Sequence, residues 1–492
     1  MKDEISALER NKTWKITELP PNKKAIGCKW IYKVKLNPDG TIERYKARLV
    51  AKGYNQVEGE DYSDCFAPVA KSVTVRLFLA VSVGKGWPLH HLDVNNAFLH
   101  GSLDEDVFMT APQGYEIPLG KVCKLKKSLY GLKQASRKWN EEFTNKMKLF
   151  GFEQCRHDLI ALLVYVDDIL ITSASENSIM IVKDYLDKLF TVKHLGNAKY
   201  FLGLELARSK QGLMVTQHKY AQDIIKDLGL KNGKHSTTPL PPGLKLSTDA
   251  GAALTDPSRY RRLVGRLLYL GFTRPDLYYA VQQLSQHLQQ PCEKHWEAAI
   301  HVVRYLKGSV STGLFLPSNT DFSLRVYCDA DWAACQTTRK SLTGFCIFMG
   351  QTPLSWKTKK QTTVARSSAE AEYRSMATTT CEVTWLIYLL KVLDIQVKQP
   401  VPFFCDNKAA LHITANPVFH EQTKHLEIDC HVVRNKFKEG VIQATYVFSK
   451  QQVADIFTKS LPCSAFLHLR SKLSLVNLTP SSTCEGVMKL KI

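Results

Sequence analysis

A chain of 492 residues with 44% hydrophobic content has the length of two or three domains and enough apolar side chains for substantial cores. Its 66 Lys and Arg against 46 Asp and Glu leave a net charge of +20, which favours a polyanionic partner. Its 13 Cys, an odd number with no CxxC pair, speak against a disulfide scaffold and for free thiols in a reducing compartment, and no apolar run reaches the roughly 18 residues of a membrane span, so an intracellular, soluble protein without membrane contact is expected.

In chain order, residues 1–22 open with a short helical pattern around Ile5 and Leu8 that ends at Pro20-Pro21. Lys29 to Leu36 alternates in period two, the turn signal Asn37-Pro38-Asp39-Gly40 follows, and Thr41 to Lys52 returns, which predicts a hairpin whose second arm carries Arg44, Lys46, Arg48 and Lys52. Residues 69–84 carry enough apolar side chains for a helix leading into Leu89 to Leu99, a strand-like stretch with Asp93 and, five positions on, Phe98. Ser128 to Trp139 (SLYGLKQASRKW) contains Gly131, which permits close backbone approach, and the polar residues Gln134, Arg137 and Lys138.

Leu162 to Ile171 (LLVYVDDILI) sets two acidic residues between apolar runs rich in Val and Ile. Two buried strands joined tightly through Val166-Asp167-Asp168 would carry both carboxylates to the tip of a hairpin. There, the desolvation of two like charges is offset if they hold a divalent cation. The alternative is a surface turn that happens to contain two Asp. Asp93 weakens that alternative, because three carboxylates on adjacent strands can hold the pair of Mg²⁺ ions, about 3.5–4 Å apart, that in-line phosphoryl displacement uses.

Asn177 to Phe190 has helical spacing, Tyr200 to Glu205 with Thr216-Gln217 reads as a hairpin, and Tyr220 to Leu228 as a helix. Residues 235–258 are a Ser-, Thr-, Pro- and Gly-rich linker. Arg259 to Leu306 forms two helical patterns broken at Arg274-Pro275-Asp276, with Tyr260, Leu263, Leu267, Leu268 and Leu270 on an apolar face. A second acidic constellation follows: Asp329 at the end of a strand, Glu372 on a helix, Asp406 at the end of another strand, and Asp455 near the start of a short helix. Such carboxylates can converge on one edge of a mixed sheet. Asp331, Glu370 and Asp394 are read as surface charges, and residues 463–492 as a loosely ordered tail.

The segments LDVNNAFLHG (Leu92 to Gly101), SLYGLKQASRKW, YVDD, YFLGLE, CDADWA (Cys328 to Ala333), SSAEAEYR (Ser367 to Arg374), Cys405 to Asn407 and ADIFTK (Ala454 to Lys459) stand in an order that resembles the reverse transcriptase and ribonuclease H region of copia-type LTR retrotransposon Pol polyproteins. The match runs from about Trp14 to about Pro462. This resemblance implies an α+β chain: a right-hand polymerase of fingers, palm and thumb over 1–230, a linker and helical connection over 231–320, an α/β ribonuclease H-like domain with a mixed five-stranded sheet over 321–462, and the tail. It further implies an RNA- and DNA-directed DNA polymerase that also cleaves the RNA strand of RNA/DNA hybrids. Asp93, Asp167 and Asp168 would hold the polymerase metals and Asp329, Glu372, Asp406 and Asp455 the nuclease metals, two Mg²⁺ per site with Mn²⁺ as a substitute.

By the same resemblance, Lys46 and Arg48 on the fingers hairpin are candidates for contacting the incoming triphosphate, and Phe98 resembles a steric gate against a 2′-hydroxyl. Gln134 would hydrogen-bond near template and nucleotide, with Arg137 and Lys138 near backbone phosphates. The implied partners are an RNA template, a DNA primer, the RNA/DNA hybrid and deoxynucleoside triphosphates; the implied setting is a cytoplasmic virus-like particle with a nuclear stage. His425 and His431 are read as structural rather than as aids to product release.

Two departures from the family pattern stand out. Only Glu153 to Leu159 separate Gly151-Phe152 from the YVDD strand, so about a dozen residues, one hairpin arm and its turn, are missing. Ala334 stands where relatives often have Gly. The first departure leaves an alternative, a decayed or truncated copy that has lost polymerase activity but still binds nucleic acid or retains only ribonuclease H.

Overall fold

A computed structural model describes residues 1–36, 41–152, 159–244, 246–247, 251–415 and 427–477. The expected turn at Asn37 to Gly40, the shortened segment after Phe152 and His425 lie outside the described residues. The chain divides into two compact units, one of Met1–Lys71 with Leu89–Asn197, the other of Ser72–Pro88 with Ala198–Ile492. Sequence expected within one polymerase block, 1–230, is therefore shared between both.

The first unit carries α1 (Lys2–Arg10), β1 (Trp14–Glu18), β2 (Cys28–Leu36) and β3 (Ile42–Ala51). After α2 (Ser72–Gly84), which belongs to the second unit, it continues with β4 (Leu89–Val94), β5 (Phe108–Met109), β6 (Lys121–Leu125), α3 (Ala135–Leu149), β7 (Ile160–Tyr165), β8 (Asp168–Ser173), α4 (Glu176–Phe190) and β9 (Val192–Asn197). Strands β7, β8, β4 and β9 form one antiparallel sheet in that order. Leu92, Val94, Ile169 and Ile171 of this sheet are buried against Trp139 and Phe143 of α3 and Ile179, Val182 and Leu186 of α4, side chains spaced as helical stripes facing the core. The β2/β3 hairpin is a separate two-stranded ladder.

In the second unit, β10 (Tyr200–Phe201), β11 (Leu204–Arg208) and β12 (Gly212–Thr216) precede α5 (His218–Asp227), α6 (Pro257–Leu270), α7 (Tyr278–Ser285) and α8 (Glu293–Lys307). The expected two helical patterns are thus three helices. The second break falls before Cys292, where Pro291 has no N–H to continue a helical ladder. Leu268, expected on the apolar face of α6, is 46% exposed, while Leu267 and Leu270 are buried.

Strands β13 (Thr312–Pro317), β14 (Leu324–Asp331), β15 (Leu342–Met349) and β16 (Thr352–Lys360) lead to the long helix α9 (Ser368–Val392), then β17 (Val401–Cys405), α10 (Lys408–Ala415), α11 (Glu427–Lys438), β18 (Ile442–Tyr446), α12 (Cys463–Ser471) and β19 (Leu475–Asn477). One sheet runs β10-β11-β12-β13-β19 and another β16-β15-β14-β17-β18. In the latter, β14 pairs antiparallel with β15 and parallel with β17, so the sheet is mixed.

Residues 463–477 correct the expectation of a loose tail. They form α12 and β19, β19 completes the edge of β13, and Arg470 reaches Asp276 at 3.4 Å. Long-range pairing of this kind leaves no local sequence signal. Among the described residues no helix is long and apolar enough to cross a membrane.

Candidate active sites

In the first unit the β7/β8 hairpin turns through Val166 and Asp167, with Tyr165 paired to Asp168. Val166 has φ 56°, a left-handed conformation rare for a β-branched residue, and tight hairpins require that sign of φ. Two hydrogen bonds hold the strained tip: Trp139 Nε1 donates to the Val166 carbonyl at 2.8 Å, and Val94 N to the Asp167 carbonyl at 2.8 Å. Across the ladder Asp93 is the partner of Asp168, so the register brings three carboxyl groups to one sheet end. His91, two residues before Asp93, donates from Nε2 to Asp168 Oδ1 at 2.9 Å. Burial pushes the Asp167 carboxyl up; its own backbone N–H draws it down, the Asp168 and Asp93 charges raise it again, and Arg48 opposes them.

Arg48 lies with its guanidinium 3.8 Å from the centre of the Tyr130 ring, and Phe98 meets the same ring edge-on at 4.7 Å. This stack depends on a close backbone approach. Gly131 has φ 95°, and a Cβ there would lie 2.2 Å from the Ala51 carbonyl, while Ala51 N donates to the Tyr130 carbonyl at 2.8 Å. Of the two basic candidates, Arg48 is the one whose charge reaches Asp167; burial and the neighbouring Arg48 charge lower the Lys46 pKa.

Gln134 is placed otherwise than expected. It is fully buried, accepts from Gln56 Nε2 at 3.0 Å and donates to the Asp61 carbonyl at 2.9 Å, so its amide fastens the Gln56–Asp61 loop and does not face solvent. Lys138 is buried too, with its ammonium 2.7 Å from Asp104 and 3.6 Å from Glu105, and Arg137 is paired with Glu141 at 2.8 Å. The reason is neutralisation within the unit: Arg137 and Lys138, the two cations expected near backbone phosphates, already have carboxylate partners.

In the second unit the four expected carboxylates come together. Asp329 lies on β14, Asp406 directly follows β17, the parallel neighbour of β14, Glu372 is in the second turn of α9, and Asp455 sits in a short 3₁₀ turn, Val453–Phe457. Side-chain oxygens of Asp329, Asp406 and Asp455 lie within 4.8 Å of one another, as do the ligand atoms of Glu372, Cys405 and Asp406. Asp93, Asp167 and Asp168 do not form so close a group. Oxygen-dominated donors at this spacing fit a hard divalent cation such as Mg²⁺ or Mn²⁺.

Asp329 is 1% exposed and Glu372 5%. Burial, then the Asp329 charge and Cys405, push the Glu372 carboxyl well up. Burial and Asp329 likewise raise Asp455 to about 7 against the opposing Lys459 charge. Thr458 Oγ1 donates to Asp329 Oδ2, Ser449 Oγ donates to Asp406 Oδ2 at 2.6 Å, and Lys459 Nζ lies 2.8 Å from Asp455 Oδ1. Gly344, opposite Asp329 in the ladder, makes the first contact feasible, since a Cβ there would come within 2.4 Å of Thr458 Cγ2.

Thr458, Ser449 and Lys459 were not singled out from sequence, although Lys459 stands one helical turn after Asp455 and ends the ADIFTK segment. Glu370 is a correction: it is buried, its carboxylate accepts from Arg366 N at 2.7 Å and pairs with Arg374 at 2.7 Å, and its own N–H donates to the N-cap Ser367 Oγ at 3.2 Å, so it stabilises the start of α9 and is not a surface charge. Asp394 is exposed as expected. His431 bonds Asn435 at 3.0 Å within α11. The left-handed residue in the turn after Asp331 is Ala333, with φ 52°, and not Ala334.

Residues 11–242 match the family described as reverse transcriptase (RNA-dependent DNA polymerase). The chain is 43% identical to the retrovirus-related Pol polyprotein from transposon RE1 of Arabidopsis thaliana, over 98% of this chain and 34% of that protein. It is 42% identical to the corresponding polyprotein from transposon RE2 of the same plant, over 100% of this chain and 34% of that protein. A solved foamy viral protease-reverse transcriptase in complex with double-stranded DNA aligns with a TM-score of 0.48 at 13% identity, over 91% of this chain and 69% of that one. The chain spans about a third of the length of the curated relatives it matches. With 43% identity along nearly its whole length, the chain belongs to the retrovirus-related Pol polyproteins of copia-type transposons and carries their reverse transcriptase domain.

Proposed function

We propose that the chain is an RNA- and DNA-directed DNA polymerase whose second unit cleaves the RNA strand of RNA/DNA hybrids. The observation that carries the polymerase reading is the register pairing Asp93 with Asp168, with Asp167 at the tip of the same hairpin. Asp93, Asp167 and Asp168 would hold divalent cations, Mg²⁺ or Mn²⁺, which supply charge neutralisation at the phosphates and a more acidic 3′-hydroxyl. Arg48, laid over Tyr130, presents a cation beside them for a triphosphate, and Phe98, packed edge-on against the same ring, would stand against a 2′-hydroxyl. Gln134 serves by holding the loop behind Gly131 in place.

The nuclease reading rests on the convergence of Asp329, Glu372, Asp406 and Asp455 at one end of a mixed five-stranded sheet. Ser449 and Thr458 fix single oxygens of Asp406 and Asp329 and so orient the remaining lone pairs. The net charge of +20 supports a substrate bound mainly through phosphates. Affinity for an RNA/DNA hybrid should then fall roughly 10³-fold or more between 50 and 200 mM salt.

Extension of a DNA primer on an RNA template with Mg²⁺ and deoxynucleotides tests the polymerase reading, and no extension at any metal concentration would defeat it. A second reading, a copy that has lost polymerase activity and keeps nucleic-acid binding or RNA cleavage, is favoured by the short stretch between Phe152 and the YVDD strand.

A further inference from the structure

The second carboxylate cluster already contains a cation of its own. Lys459 Nζ lies 2.8 Å from Asp455 Oδ1 and 3.4 Å from both oxygens of Asp329. Those two residues, with Asp406, are the group whose oxygens fall within 4.8 Å of one another. An ammonium is a compact point charge with three donors, and here it stands among carboxylates where a divalent cation would bind. Asp329 and Asp455 are buried, so with no cation between them their repulsion would be poorly screened.

The lysine is not locked in. Its side chain is 37% exposed, on a flexible four-carbon stem that can carry the ammonium outward without moving the backbone. The backbone under it is anchored separately: Lys459 N donates to the Asp455 carbonyl at 3.0 Å, and Thr358 Oγ1 donates to the Phe457 carbonyl at 2.8 Å. The head group can therefore leave while the turn that carries Asp455 stays in place.

We infer that Lys459 is a resident counter-ion of this cluster, bridging Asp329 and Asp455 when no divalent cation is bound and giving up both contacts when one binds, so that it sets the cation affinity of the site. The inference rests on the proposed metal centre. Two cations that compete for the same oxygens are negatively coupled, and removing one must tighten the other.

The test is calorimetric titration of Mn²⁺ into the full chain carrying Asp168→Asn, with and without Lys459→Gln, together with thermal melting in chelator and in saturating Mn²⁺. Lys459→Gln should bind Mn²⁺ roughly tenfold more tightly, a size typical of coupled ligands. It should also melt lower than its parent in chelator, with the gap closing in Mn²⁺. Equal or weaker Mn²⁺ affinity in Lys459→Gln, with binding abolished by Asp406→Asn, would overturn the inference and leave the metal centre standing. An unchanged melting temperature in chelator would overturn it as well. No Mn²⁺ binding with or without the lysine would defeat the metal-centre reading, and the inference with it.

Discussion

His91 Nε2 stands 2.9 Å from Asp168 Oδ1, and His91 lies two residues before Asp93, the ladder partner of Asp168. The imidazole thus occupies one oxygen of a proposed metal ligand. A hydrogen bond to a charged group is worth about 1.5–3 kcal/mol, so His91→Leu should lower primer extension roughly 10- to 100-fold and raise the Mg²⁺ concentration needed for half-maximal rate. His91→Gln, which can still donate, should recover most of the loss. An unchanged Mg²⁺ dependence in His91→Leu would show that the contact does not position the carboxylate.

Phe98 is 8% exposed and packs edge-on to Tyr130, the ring that Arg48 overlies. If that ring excludes a 2′-hydroxyl, Phe98→Val should raise ribonucleotide incorporation relative to deoxynucleotide by about tenfold or more, the size of a 1.4 kcal/mol change in discrimination. The measurement is the ratio of the two specificity constants, with thermal melting as a control for folding. A well-folded variant with an unchanged ratio would make Phe98 an ordinary core residue.

The stability of the second unit offers a separate check. Asp276 is buried between Arg274, at 2.8 Å, and Arg470, at 3.4 Å, and Tyr305 Oη donates to it at 2.6 Å. Burial alone would raise its carboxyl, but the Arg274 charge and hydrogen bonds overcome that and hold it at about 2. A carboxyl whose folded pKa is below its ordinary 3.8 stabilises the fold fully above that value and loses the contribution as pH falls towards 2. Asp276→Asn leaves Arg274 buried beside a neutral group and should cost about 3–5 kcal/mol, read as a lower melting temperature at pH 7. The gap between variant and parent should narrow as pH falls from 4 to 2; a constant gap would contradict the assignment.

The motif order and the local geometry around YVDD were legible because they are short-range. Val166-Asp167 between two Val- and Ile-rich runs demands a tight hairpin, and Asp93 in a similar run supplies the neighbouring strand. Of the acidic set in the second unit, Asp329 and Asp406 were legible for a related reason, since residues toward the same ends of adjacent parallel strands must lie near each other, whereas Glu372 on α9 and Asp455 in a 3₁₀ turn join them through the order of the motifs. Side-chain partners far apart in sequence were not legible. Gln134 finds the Asp61 carbonyl across 73 positions, Arg470 finds Asp276 across 194, and nothing local in either segment announces it. Helix α2 illustrates the same limit. Its Arg76 donates to the Leu354 carbonyl at 2.7 Å and lies 3.8 Å from the centre of the Trp356 ring, which fixes the helix in the second unit although the sequence on both sides of it belongs to the first.

The most direct test of two separate metal-dependent sites puts primer extension on an RNA template and cleavage of that RNA in one tube, with Asp168→Asn and Asp406→Asn beside the parent. Two working sites predict extension lost only in Asp168→Asn and cleavage lost only in Asp406→Asn. Cleavage without extension in the parent would contradict the polymerase assignment for this chain, and loss of both activities in either variant would contradict the independence of the two sites.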